Sequence, residues 1–207
     1  MRRTPQARDL APRKRPSQAR SQATFDALVD ACTGLLPRLG YAGTTTNHVA
    51  ERAGVSIASL YEYFPGKDAI VAQVAERLVD RVLRRLGQQA PRVLAAPEDD
   101  ALRVWLELIH ETAVRERALF AVFTYEVPYT NGIEAIRTVS SRLLDFSQEV
   151  RRRAGGLVRQ EISPATMRLI VNLTSSTILQ LVLDPPADVT KDELLDELAL
   201  RIAAWIR

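Results

Sequence analysis

Cysteine and histidine are scarce in this chain, which has one cysteine and two histidines among 207 residues. The single cysteine, Cys32, cannot form an internal disulfide, and this favours a reducing compartment. His48 and His110 fall in different predicted domains, and no group of residues has the spacing of metal ligands. A phosphate-binding loop and a nucleophile elbow are also missing. The sequence therefore predicts no enzyme activity, no metal site and no cofactor.

Long hydrophobic runs are missing as well. No stretch reaches the roughly 18 consecutive apolar residues that span a bilayer. The first 16 residues are basic, but they lack the apolar core that is typical of a signal peptide. We therefore expect a cytoplasmic protein without a membrane partner.

The positive charge is concentrated near the amino terminus. Residues 1–68 contain ten Lys or Arg against six Asp or Glu, whereas residues 69–207 contain eighteen against nineteen. A basic third on a nearly neutral body favours a polyanionic partner at that end, although a solubilising tail explains the same charge. Residues 1–16 are predicted to form a mobile basic arm. The arm either follows the minor groove of DNA or has no contact with it.

The apolar patterning after residue 16 has the period of a helix, so the sequence predicts an all-α fold of about nine helices. Apolar residues recur at three- and four-residue steps from Phe25 to Leu39. Pro37 and Gly40 mark the end of this first helix. Later in the chain, one uninterrupted helix is predicted over residues 133–154.

Two short helices are predicted directly after the first helix. Residues 44–46 are threonines that can cap a helix over Asn47–Ala53, and Gly54 permits the left-handed backbone of a turn. Ser56 is placed to cap a second short helix over Ile57–Phe64. Two short helices joined by such a turn form a helix-turn-helix unit.

The stretch from Gly40 to Asp68 resembles the DNA-binding domain of the TetR family. It begins with Gly-Tyr-Ala-Gly-Thr-Thr-Thr and continues with Val-Ala-Glu-Arg-Ala-Gly-Val-Ser, Leu-Tyr-Glu-Tyr-Phe and Lys-Asp, all in register with the family pattern. The close match covers roughly residues 20–75 of the sequence. The resemblance implies a transcriptional repressor that binds a palindromic operator as a homodimer and leaves it when a small molecule binds.

Carried over position by position, the resemblance implies that nine residues contact DNA: Thr46, Asn47, Ser56, Ile57, Ala58, Ser59, Tyr61, Tyr63 and Lys67. The first two lie at the amino end of a helix, where unpaired amide groups suit a phosphate. Residues 57–59 would lie deepest in the major groove. Tyr61 and Tyr63 would face outward to the sugar-phosphate wall. Lys67 would bind a phosphate.

Ile57 departs from the family pattern, because many members have Lys, Arg or Gln there and Gly or Pro at Ala58. The chain has lost one bidentate reader of guanine, and apolar contact with a thymine methyl can replace it. The operator sequence therefore stays open. A helical ligand-carrier protein that does not bind DNA also stays an alternative. A simpler explanation for Thr46 and Ser56 is that they only cap helices. A simpler explanation for Lys67 is that it is a solvated residue at the start of a helix.

The sequence divides into the arm over residues 1–16, a helix-turn-helix domain over 17–68 and a third segment over 69–207. The resemblance implies that this third segment binds the effector and dimerises. Ten residues are candidates for the effector site: Trp105, Ile109, His110, Phe120, Phe123, Tyr125, Tyr129, Val139, Leu143 and Phe146. Apolar walls with few polar groups favour an apolar or aromatic effector, although a plain core has the same composition.

The helix predicted over 165–183 is apolar on more than one face. A helix of this kind needs a second partner, and a symmetric dimer supplies one. Six of its residues are candidates for the dimer interface: Leu169, Ile170, Leu173, Ile178, Leu181 and Val182. Burial inside a single copy is the alternative.

Overall fold

The computed structural model of the chain describes residues 9–14, 16, 18–153 and 162–206, and within these ranges every regular element is a helix. The predicted all-α fold is confirmed. The α-helices are α1 Ala19–Gly43, α2 Thr46–Ala53, α3 Ile57–Tyr63, α4 Lys67–Leu94, α5 Glu98–Arg115, α6 Arg117–Tyr125, α7 Glu134–Arg137, α8 Val139–Arg153, α9 Pro164–Leu183 and α10 Lys191–Ile206. A short 3₁₀ turn covers Thr130–Gly132.

The described residues form two compact units. The first contains the residues up to Leu78 and the segment Ala121–Ile136, and the second contains Val79–Phe120 and the residues from Arg137 onward. Leu78 and Val79 are consecutive residues of α4, so this division does not fall at the loop before Lys67. The domain boundaries at residues 16 and 68 stay a prediction.

Capping side chains fix the starts of α9 and α10. The Ser163 hydroxyl accepts a hydrogen bond from the Thr166 amide, and proline occupies the first position of α9. At the start of α10, Thr190 and Glu193 exchange backbone and side-chain hydrogen bonds as a capping box. Both helices therefore begin at a local sequence signal.

Pro37 does not end the first helix as predicted, because it lies inside α1. Pro91 likewise lies inside α4, which continues to Leu94. The first helix leaves helical geometry only at Gly40, where φ is 69°, a region that favours glycine. The single helix predicted over 133–154 is wrong, because a turn at Thr138 separates α7 from α8.

Aromatic packing forms the core of the first unit. Phe25 on α1 meets Phe64, the residue after α3, with ring centroids 4.8 Å apart. Leu28 and Leu60 are fully buried, and Cys32 is buried on the same apolar stripe of α1. Burial raises the pKa of the Cys32 thiol to about 12, an effect that the positive charge of Lys67 reduces.

The core of the second unit lies between α5, α9 and α10. Its buried members are Leu106, Ala113, Ile178, Leu181, Val182, Leu195 and Ile202. Helix α9 is long and apolar enough to cross a bilayer, but a soluble core helix has the same composition. Ile178, Leu181 and Val182 of α9 are buried in this core, and Ile170 and Leu183 pack against it.

Candidate nucleic-acid interface

Helices α2 and α3 are short, and their ends are fixed by side chains. The Thr45 hydroxyl accepts a hydrogen bond from the His48 amide and caps α2. Gly54 ends α2 with a φ of 68°, in the left-handed region that the turn requires. The Ser56 hydroxyl accepts from the Ser59 amide at 3.0 Å and caps α3. The helix-turn-helix pair is confirmed, with Thr45 rather than Thr46 as the first cap.

One face of this pair presents most of the predicted DNA-contact residues. Asn47 and Ala58 are exposed, and the exposed fractions of Ile57 and Tyr61 are 38% and 41%. Exposed apolar and aromatic side chains on adjoining turns of one short helix form a surface suited to base edges and methyl groups. Ser59 is half-buried on the same helix.

Hydroxyl groups connect the two helices across this face. Thr46 Oγ1 lies 3.2 Å from the Tyr61 hydroxyl, which brings the start of α2 to the middle of α3. Ser56 Oγ lies 2.9 Å from Ser59 Oγ at the start of α3. The structure thus brings four of the predicted contact residues together in two hydroxyl pairs. We use the name DNA-facing surface for the predicted contact residues that this pair of helices brings together, Thr46, Asn47, Ser56, Ile57, Ala58, Ser59 and Tyr61. Their contact with DNA stays a prediction.

Tyr63 does not belong to the DNA-facing surface. Its exposed fraction is 7%, and its ring contacts Phe25 edge-on with centroids 6.2 Å apart. The prediction that Tyr63 faces outward is wrong. It lies three residues after the buried Leu60, and this spacing places both side chains on the same side of a helix.

Lys67 is also engaged inside the protein. Its ammonium group donates a hydrogen bond to the Tyr41 carbonyl at 2.7 Å and lies 3.9 Å from the centroid of the Tyr41 ring. The side chain therefore stabilises the end of α1, just after the break at Gly40. A phosphate contact by Lys67 stays a prediction, and we leave it out of the DNA-facing surface.

Sequence reasoning missed a polar cluster beside Lys67. One oxygen of Asp68 accepts hydrogen bonds from Tyr41 at 2.6 Å and from Tyr129 at 3.0 Å. A Glu126 oxygen accepts from the Tyr41 amide at 2.7 Å. Burial, the hydrogen bond with Tyr41 and the charge of Asp68 hold the pKa of Tyr129 above its usual range, so its hydroxyl remains a donor. We call these four residues the Asp68 cluster.

The ten candidates for the effector site fall in both units. Phe123, Tyr125 and Tyr129 belong to the first unit, and the other seven belong to the second. Phe123 is buried, Tyr125 is 65% exposed, and Tyr129 is engaged with Asp68. The sequence could not distinguish a core residue, an exposed residue and a hydrogen-bonded residue among them. Phe123, Tyr125 and Tyr129 are therefore not part of the proposed effector site.

Within the second unit, the structure brings Trp105 on α5 and Phe146 on α8 together. Their rings stack with centroids 5.9 Å apart. Ile109 and Phe120 pack against the core of the unit instead. His110 is half-buried, and its pKa is lowered by burial and by the charge of Lys191. Val139 and Leu143 are half-buried on α8.

Thr174 was not predicted as a site residue. It is buried on α9, and among the described residues its hydroxyl is the buried side-chain group that has no hydrogen-bond partner. A buried polar atom of this kind needs water or a ligand as a partner. No sequence signal distinguishes Thr174 from a threonine that bonds to its own helix.

Replacing Thr174 with valine is expected to raise the free energy of unfolding by about 1 kcal/mol, because the shape is kept and an unsatisfied hydroxyl is removed. Thermal unfolding followed by circular dichroism should show a Tm about 2–4 °C higher. Thr177→Val, at a half-buried position of α9, is the matched control and should change stability by less than about 0.5 kcal/mol. A lower Tm for Thr174→Val would show that the hydroxyl already has a partner.

The candidates for the dimer interface divide between core and surface. Ile178, Leu181 and Val182 are buried in the core of their own unit, so the prediction that they face a second copy is wrong. Ile170 is partly buried against the same core. In contrast, Leu169 and Leu173 are exposed one helical turn apart on α9. Two apolar residues of α10 that were not predicted are also exposed, Leu200 and Trp205.

Comparison with known proteins matches the helix-turn-helix part of the chain to one family. Residues 28–74 match the model described as bacterial regulatory proteins, tetR family. The chain is 30% identical over 155 residues to the uncharacterized HTH-type transcriptional regulator MT1294 of Mycobacterium tuberculosis (strain CDC 1551 / Oshkosh), which covers 69% of this chain and 75% of that protein. It is 25% identical over 111 residues to the HTH-type transcriptional regulator PksA of Bacillus subtilis (strain 168), which covers 53% of this chain and 54% of PksA. The match therefore spans about half the length of PksA.

Solved structures share the fold over most of the chain. The fatty acid degradation regulator FadR from Bacillus halodurans has a TM-score of 0.63 and 16% identity, with 94% of this chain and 99% of that chain covered. Thermus thermophilus FadR, a TetR-family transcriptional repressor in complex with lauroyl-CoA, has a TM-score of 0.55 and 20% identity, with 87% and 93% covered. At these identities the likeness concerns the fold.

Proposed function

This chain belongs to the TetR family of bacterial regulatory proteins, and from that premise we propose that it is a cytoplasmic DNA-binding repressor whose operator is palindromic. The observation that carries the proposal is the DNA-facing surface. Two helices with side-chain caps present adjoining exposed residues there, including Ile57 and Tyr61. The named relatives are regulators, and the proposed function is not enzymatic.

The DNA-facing surface supports a specific division of contacts. We infer that α3 enters the major groove with Ile57 and Ala58 foremost, because both are exposed in its first turn. Apolar groups at this position favour thymine methyls over guanine. Asn47, at the start of α2, is placed to contact a phosphate or a base edge. Tyr61 would then hold its hydroxyl beside Thr46 at the groove wall.

The second unit supports dimerisation and effector binding. A palindromic operator requires two copies that hold their recognition helices about 34–36 Å apart. Leu169 and Leu173 are exposed one helical turn apart on α9 and give an apolar patch that a second copy can cover. Helix α10 also exposes Leu200 and Trp205. We propose that the α9 patch lies in the dimer interface.

The effector is proposed to be an apolar or aromatic small molecule that binds in the second unit. The stacked Trp105 and Phe146 offer an apolar wall, and the half-buried His110, five residues after Trp105 on α5, offers a polar group within the same unit. The unsatisfied hydroxyl of Thr174 offers another. Effector binding would weaken DNA binding with a coupling of about 1–3 kcal/mol, as is typical of allosteric proteins.

The proposal is tested with duplex DNA that the full-length protein selects from a random-sequence pool. Ile57→Ala is expected to weaken binding of the selected duplex about five- to tenfold, because an apolar contact in the groove is lost. Fluorescence anisotropy measures the affinity. Val114→Ala, at an exposed apolar position of α5, is the matched control and should bind as the wild type does. Failure to enrich any duplex would contradict the function, and equal affinities for Ile57→Ala and wild type would contradict the proposed groove contact.

A further inference from the structure

The described part of the basic arm lies against the end of the recognition helix α3. The Arg13 amide donates a hydrogen bond to the Tyr63 carbonyl at 2.7 Å. The Arg13 guanidinium donates a second hydrogen bond to the Tyr61 carbonyl at 3.2 Å. One arm residue therefore contacts two carbonyl groups in the last turn of α3. Arg2, Arg3, Arg8 and Arg15 of the predicted arm lie outside the described residues.

These two carbonyl groups belong to a set that a helix cannot satisfy alone. The last four carbonyls of an α-helix lack amide partners within the regular helix, and a seven-residue helix has few internal hydrogen bonds to begin with. In α3, the Leu60 carbonyl is satisfied by the Phe64 amide. A positively charged side chain at the carboxyl end also interacts favourably with the helix dipole.

The arm is held at a second point within the first unit. Leu10 is half-buried, and its Cδ1 atom lies 3.6 Å from where a Cβ on Gly132 would be. Gly132 ends the 3₁₀ turn of the segment Ala121–Ile136. Residues 10–13 thus connect that turn to the carboxyl end of α3.

We propose that Arg13 is a positioning residue for operator binding, which fixes the carboxyl end of α3 while Ile57 and Ala58 at the other end meet the bases. This inference rests on the proposed function. It differs from a phosphate-binding role for the arm, because the Arg13 side chain acts on the helix and not on DNA. Helix ends fray, and because α3 has only seven residues, fraying of its last turn reaches to within one turn of the residues that face the bases.

The test combines DNA affinity, its salt dependence and amide exchange in the full-length chain. Arg13→Ala is expected to bind the selected duplex about three- to tenfold more weakly, the equivalent of one hydrogen bond. The slope of log affinity against log salt should stay unchanged, since no phosphate contact is lost. Hydrogen exchange followed by NMR should be faster at the Leu60 and Phe64 amides and unchanged at the Val49 amide of α2.

Lys14→Ala is the matched control, because it removes one positive charge from the adjacent exposed position of the arm. It should leave exchange at Leu60 and Phe64 unchanged. A slope reduced by about 0.9 in Arg13→Ala would make Arg13 a phosphate contact and would overturn the proposal. Unchanged affinity in that variant would overturn it too. If the wild-type protein selects no duplex, the proposed function is contradicted instead. The hydrogen-exchange rates at Leu60 and Phe64 would still show whether Arg13 stabilises the end of α3.

Discussion

Phe64→Ala is expected to lower the free energy of unfolding of the first unit by about 3–5 kcal/mol. Phe64 is fully buried, and its ring packs against Phe25 at 4.8 Å between centroids. Truncation removes apolar burial and leaves a cavity between α1 and α3, next to the edge-on contact of Tyr63. Chemical denaturation followed by circular dichroism measures the loss.

Tyr61→Ala provides the contrast to Phe64→Ala, because an aromatic side chain is removed three positions earlier from the exposed face of α3. Its stability should change by less than about 1 kcal/mol, whereas its affinity for the selected duplex should fall. If Phe64→Ala and Tyr61→Ala cost the same stability, the assignment of the inner and outer faces of α3 would be incorrect.

Asp68→Ala is expected to cost about 2–4 kcal/mol of stability in the first unit. Hydrogen bonds to a charged acceptor contribute about 1.5–3 kcal/mol each, and one Asp68 oxygen accepts from both Tyr41 and Tyr129. Asp68→Asn keeps one side-chain oxygen that accepts hydrogen bonds, so its loss of stability should be roughly half that of Asp68→Ala. Both variants are measured by the same denaturation experiment.

Asp30→Ala is the control for the Asp68 variants. Asp30 pairs with Arg77 at 2.7 Å on the surface of the same unit, and its side chain is 74% exposed. An exposed ion pair of this kind contributes less than about 1 kcal/mol. An Asp68→Ala variant no less stable than Asp30→Ala would mean that the two tyrosines find other acceptors at no cost.

The helix-turn-helix pair could be predicted from sequence because its signals are local. Glycine at position 54 fits the one left-handed residue of the turn, and serine at position 56 bonds to an amide three residues later. A cap or a turn depends on neighbours along the chain, so spacing alone identifies it. The exposed Ile57 and Tyr61 follow from the same local pattern.

The role of Lys67 and the tertiary contact of Tyr63 could not be predicted in this way. The three-residue spacing from Leu60 indicates that Tyr63 lies on the inner side of α3, but its edge-on contact with Phe25 depends on where α1 lies. The Asp68 cluster depends on Tyr129, which is 61 residues away in sequence. The division of α9 into core and exposed residues likewise depends on α5 and α10. These contacts are set by tertiary packing, which periodicity does not report.

Because Cys32 is buried, its reaction with a thiol reagent reports the opening of the first unit. Thiol reagents attack the thiolate, and a pKa of about 12 leaves almost none of this form at neutral pH while α1 stays packed. Because the chain has no other cysteine, alkylation proceeds at one site and only when the first unit opens. At reagent concentrations where labelling outpaces reclosing, the labelling rate gives the opening rate of the first unit, without an introduced tag.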